Sequence, residues 1–155
     1  MSSTDPAAIP AVVALFQAAT DPDEVTVSDG LLTEYATDKY VCVGYDPDST
    51  MAVEFTQAMA AARGSAGHSR KEEFEILCYL RVSGGDSDLP GLRASAFAVL
   101  ADLEALLRVQ PGITLSGALG SGGTAQLTSG QVDQGEDAHG DAVGIRFRIK
   151  CNARI

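Results

Sequence analysis

Two long runs alternate apolar and polar residues, and they limit the folds open to this chain more than any other feature. In RKEEFEILCYLRVSGGD, residues 70–86, Phe74, Ile76, Cys78, Leu80 and Val82 recur at every second position, with Glu73, Glu75, Leu77, Tyr79 and Arg81 between them. In VGIRFRIKCNARI, residues 143–155, Val143, Ile145, Phe147, Ile149 and Cys151 share one phase, and Arg146, Arg148, Lys150 and Asn152 the other. A period of two puts successive side chains on opposite faces of a strand, so each run predicts a long strand with one face in a core. The second faces carry opposite charge. If the strands are neighbours, cross-strand ion pairs worth a few tenths of a kcal/mol each account for both faces. If the two faces lie on outer surfaces, they can meet across a subunit boundary, and a head-to-tail contact of that kind closes into a ring. The sequence leaves both arrangements open.

The remaining elements follow from local signals. Asp5 and Pro6 start a helix as cap and first helical residue; Ile9, Val12, Val13, Leu15 and Phe16 form its stripe, and Pro10 shifts the start as late as Ile9. It stops near Thr20, where DPD follows. Residues 24–28 (EVTVS) predict a strand closed by the Asp29-Gly30 turn pair. Residues 39–45 (KYVCVGY) are continuously apolar, β-branched or aromatic, the pattern of a central strand. Residues 51–57 (MAVEFTQ) alternate as a further strand, the Ala-rich 58–63 is ambiguous, and GSAG at 64–67 is a flexible break. After the long strand, Asp88 or Leu89 opens a helix with Pro90 in its first turn. Leu92, Ala96, Val99, Leu103, Leu106 and Leu107 make its stripe, and Pro111-Gly112 ends it. Residues 113–119 predict a strand, 120–123 (GSGG) a turn, 124–131 a weak strand, and 132–142 (VDQGEDAHGDA) an exposed loop or hairpin crown. The order favours one α+β domain over residues 1–155: a mixed, mainly antiparallel sheet with two helices packed on one face.

Composition narrows the function. The 155 residues are 45% hydrophobic, enough for one core. A net charge of −10 and a pI of about 4.4 argue against tight binding of nucleic-acid phosphate, but suit a surface past which nucleic acid slides without sticking. Cys42, Cys78 and Cys151 are odd in number, form no CxxC and sit in apolar runs, which predicts buried free thiols in a reducing compartment. The N-terminal MSSTDPAAIP lacks the basic segment of a secretory leader.

Candidate chemistry is sparse. Glu73 and Glu75 share a strand face about 7 Å apart by the strand rise, a spacing compatible with acid–base work only inside a cleft. Glu72, Asp86 and Asp88 are near them in sequence alone. His68 and His139 have no second His or Cys at a ligand spacing, and DAHGD around His139 reads as a solvated tip. The glycine clusters match no phosphate-binding context.

Taken together, the order and wording of these segments resemble the tail terminator proteins of long-tailed bacteriophages, prophages and related tail-like particles. The resemblance is carried by AIPAVVALFQAAT followed by VTVSDG, by KYVCVGYD, by RKEEFEILCYLRVSGGD with the helix LRASAFAVLADLEALL after it, and by the closing VGIRFRIKCNARI. It spans nearly the whole chain, although residues 59–63 fit no part of the pattern. It implies a non-enzymatic virion protein without cofactors, assembled in the host bacterial cytoplasm. Such proteins form a ring, usually a hexamer, on the last ring of the tail tube. The ring ends tube polymerisation and joins the tail to the head-side neck or connector protein, and DNA passes through its lumen without specific binding. By analogy, Glu73, Glu75, Arg146, Arg148 and Lys150 are candidates for the subunit interface. Asp133, Glu136, Asp137 and Asp141, with residues 64–70, are candidates for tube contact or the lumen. The rival readings are another head-tail connector or tail-completion ring protein, a small acidic enzyme using Glu73 and Glu75, and a small acidic cytosolic ligand-binding module.

Overall fold

Helix α1, Asp5–Ala19, opens the fold in the computed structural model, which describes residues 5–31, 37–60, 69–84, 88–120, 122–137 and 140–154. Ala8, Val12 and Phe16 are fully buried at four-residue intervals, so one stripe faces the core. The helix already includes Asp5 and carries Pro10 inside it, because a proline this early removes only a bond to the first turn.

Strands β1 (Val25–Asp29) and β2 (Lys39–Val43) pair in parallel. Strand β3 (Val53–Ala60) runs antiparallel to β4 (Ser69–Gly84). It starts two residues later than its alternation suggests and absorbs the first of the Ala-rich residues. There the ladder pairs Ala58 with Lys71, Met59 with Arg70 and Ala60 with Ser69, so pairing overrides the helical preference of alanine. The rest of that stretch, GSAG and His68 lie outside the described residues, as do Asp86 and His139.

Helix α2, Leu89–Leu107, begins where expected: Asp88 Oδ1 accepts the N–H of Gly91 at 3.2 Å. Ala96, Val99, Leu103 and Leu107 are buried, and Leu92 and Leu106 pack at the margin. The strand expected over residues 113–119 does not form. A short 3-10 turn over Gly112–Thr114 leads into Leu115, Ser116 and Gly117, with φ of 50°, 54° and 89°. Three successive residues in the left-handed region cannot lie in a pleated strand. Leu115 and Leu119 are nevertheless fully buried, and they supplied the apolar signal.

Strands β5 (Thr124–Asp137) and β6 (Gly140–Arg154) form a hairpin paired from Thr124 with Asn152 up to Asp137 with Gly140. Of the two forms expected for 132–142 it is the hairpin end that is found, with ladder almost to its tip, and not an exposed loop. Asp141 is only 5% exposed and Ala142 only 8%. The register shifts once, between Leu127 and Ser129.

The sheet runs β1-β2-β4-β6-β5, with β3 also on β4. β2 takes the upper part of β4 (residues 78–82) and β3 the lower (69–76), on the same side. One apolar cluster joins α1, α2 and a single face of the sheet: Val41 and Val43, then Phe74, Ile76, Cys78, Leu80 and Val82, then Val143, Ile145, Phe147, Ile149 and Cys151. Both helices thus cover one face, and the protein is α+β as the sequence predicts. Among the described residues, no helix is long and apolar enough to cross a membrane.

Candidate functional site

Among the described residues no helix covers the second face of the sheet, and the polar phases of β4 and β6 meet there. The ladder sets Glu75 opposite Lys150, Leu77 opposite Arg148, Tyr79 opposite Arg146 and Glu73 opposite Asn152. The two charged runs are therefore neighbours in one chain. That is the first of the two arrangements the sequence allows.

Two arginines tie this face together, each joining two elements. Arg148 Nη1 donates to Glu75 Oε2 at 2.8 Å and to Glu54 Oε2 at 3.2 Å, linking β6 to β4 and β3. The hydrogen bond to Glu75 is the main reason its guanidinium pKa is pushed up, helped by Glu54 and opposed by slight burial. Arg146 Nη1 pairs with Asp48 in the segment joining β2 to β3. Its Nε lies 3.3 Å from Asp133 Oδ2 on β5, a charge contact that is not aligned as a hydrogen bond. Without Arg148, Glu54 and Glu75 would face each other as a like-charged pair, since they are partners in the β3–β4 ladder.

Arg146, Arg148, Asp46, Leu77, Ser129 and Gln131 border a groove of about 350 Å³. Leu77 is only 2% exposed, although it stands on the uncovered face. The β2–β3 segment closes over it: Gly44 and Tyr45 donate backbone N–H groups to the Leu77 carbonyl, and the Leu77 N–H donates to Ala52. Above the groove, Tyr79 packs edge-on against Tyr40 and Tyr45, with ring centres 6.3 and 6.2 Å away. The Tyr79 ring lies over Gly144, where a Cβ would come within 2.5 Å of its Oη. Burial raises the Tyr79 pKa, and Arg81 partly offsets this.

The expected residues divide accordingly. Glu73, Glu75, Arg146, Arg148 and Lys150 share this face. Asp133 sits at its β5 margin, 58% exposed at the side chain. Asp141 belongs to the buried phase of β6. Glu136 and Asp137 pair with Asp141 and Gly140 through their backbones, and their side chains lie outside the described residues. Glu72 is fully buried, and Asp88 caps α2. All three cysteines are free and buried, and burial pushes the Cys78 thiol far above its ordinary range. Among the described residues, no group of three or more His, Cys, Asp or Glu side chains is placed to hold a metal ion.

Asp48, Glu54 and the tyrosine cluster were not singled out from sequence. Glu54 had a signal, the polar phase of MAVEFTQ. Asp48 had none, because a loop residue acquires its partner only when the loop folds back. Compared with models of known protein families and with curated proteins, the chain finds no match.

Proposed function

We propose that this chain is a structural ring protein of a phage-type tail. Copies of it cap the tail tube, end tube polymerisation and present the surface that receives the head-side neck. The ring is a hexamer, as is usual in the family the sequence resembles, and DNA passes through the lumen without specific binding. In this reading the protein carries out no catalysis.

The observation that carries the proposal is the uncovered sheet face. Tyr and Arg are enriched in protein–protein interfaces, and this face presents Tyr45, Tyr79, Arg81, Arg146 and Arg148 on a rigid platform. Arg146 and Arg148 neutralise Asp48, Asp133, Glu54 and Glu75 in ion pairs, which fits a docking surface better than a site poised for proton transfer. The rival acid–base reading of Glu73 and Glu75 is weakened because Arg148 already engages Glu75. An acidic chain of charge −10 suits a lumen that must not hold DNA phosphates.

The test is negative-stain imaging of the protein mixed with purified tail tubes, with mass photometry of the protein alone. The expected result is a cap at one end of each tube and tubes of fixed length. Charge reversal at Arg146 or Arg148 should then weaken capping. Absence of end-binding at saturating protein would refute the proposal and return Glu73 and Glu75 to consideration as an enzymatic pair.

A further inference from the structure

The left margin of the sheet is a step. β1 lies two strands out from β4 at the level of residues 78–82, whereas β3 lies one strand out at the level of 69–76. Among the described residues β3 pairs only with β4 and none of them occupies its outer side, which is an edge seated in the notch beneath β1.

Hydrogen bonding fixes which backbone groups occupy that edge. The Leu77 N–H donates to Ala52 at 3.0 Å. In an antiparallel ladder, inward and outward groups alternate along each strand. Glu54 and Thr56 therefore bond inward to β4, and the N–H and C=O groups of Val53, Phe55, Gln57 and Met59 point outward. Phe55 stands 59% exposed on the helix side of this edge, with Met51 37% exposed just before it. The sole charged residue of the strand, Glu54, is already held by Arg148 on the opposite face. Apart from Glu54, Val53–Ala60 carries no charge, proline or bulge of the kinds that protect exposed edges elsewhere.

We infer that β3 is a homotypic docking edge: in the free protein, β3 of one copy pairs antiparallel with β3 of a second copy across a two-fold axis. The step is complementary to itself under that operation. The second copy's β3 fills the notch beneath β1, and its own β1 passes below the end of the first β3. The outward residues meet outward residues, and the helix layers of both copies stay on one side. The other long free edge is a poorer occupant. Residues 130–134 of β5 are level with residues 78–82 of β4, so a copy laid alongside at the same height would drive β5 into the row that β1 holds. A two-fold contact closes on itself and cannot propagate a ring. The inference is therefore independent of the capping function and concerns the protein away from the tube.

The experiment uses the free full-length chain. Sedimentation velocity across a concentration series should show a reversible monomer–dimer equilibrium in roughly the micromolar range, as suits a small interface. Phe55→Cys, treated with a short bis-maleimide, should give a covalent dimer, because the native cysteines are buried and stay silent. Phe55→Pro removes an outward N–H and leaves the β4 ladder intact, so it should weaken dimerisation at least about tenfold. Phe55→Lys serves the same purpose should the proline variant fail to fold. A wild-type chain that stays monomeric at about 100 μM would overturn the inference. So would a dimer that Phe55→Lys leaves unchanged, or one that cross-links through Val132→Cys but not through Phe55→Cys.

Discussion

Replacing Arg148 with methionine tests the electrostatic account of the uncovered face. Methionine keeps an apolar stem of similar reach and removes the charge. Arg148 contacts Glu75 at 2.8 Å and Glu54 at 3.2 Å, and the three side chains are 32–59% exposed. Half-exposed pairs of this kind contribute about 0.2–1 kcal/mol each. Loss of the arginine also leaves Glu54 and Glu75 opposed across the β3–β4 ladder, a like-charge pairing that costs up to about 1 kcal/mol. The sum is a destabilisation of about 1–2 kcal/mol, or a fall in Tm of roughly 3–6 °C for a chain of this size. Urea denaturation at low ionic strength, in protein dilute enough to stay monomeric, measures it. The deficit should shrink by half or more in about 1 M salt, where the screening length is about 3 Å. In a Glu54→Gln background it should fall to a few tenths of a kcal/mol, because one ion contact and the like-charge repulsion are already absent. A loss below about 0.3 kcal/mol, or a loss that salt does not alter, would contradict the ion-pair account and assign Arg148 a packing role.

Three other outcomes follow from the packing. Leu103→Ala, at a fully buried position of α2, should cost about 2–5 kcal/mol in the same assay. Gly144→Ala should displace the Tyr79 ring, costing about 1–3 kcal/mol and changing near-UV but not far-UV circular dichroism. Burial raises the Cys78 thiol above 9.0 and the Tyr79 hydroxyl above 10.0 in the folded chain. The unfolded chain therefore releases these protons first and binds fewer of them, so stability present below pH 9 should decline as pH rises beyond it. Urea midpoints at about pH 8 and pH 10.5 measure the decline, and a Cys78→Val variant should lose part of it.

Elements whose pattern is periodic over many residues could be read directly from the chain. The alternation of 70–86 and 143–155 specified two long strands, their buried phases and their charged phases, because a one-residue slip would expose the whole apolar set. The stripe of α2 and its Asp88 cap were equally legible. What those elements meet was set by the packing of the whole fold. It made the acidic and basic strands neighbours, so that charges compatible with an intersubunit contact became ion pairs within one chain. It drew Asp48 and Glu54 to the arginines from segments with no long period of their own. It turned the apolar run 113–119 into a plug, because Leu115 and Leu119 reach the core only through a backbone bent into the left-handed region. It carried the ladder through 132–142, burying Asp141 where composition suggested solvent. Periodicity records which face of an element is dry. Partner identity, strand order and the stepped edge beside β3 depend on contacts between residues far apart in the chain, and no local pattern encodes those.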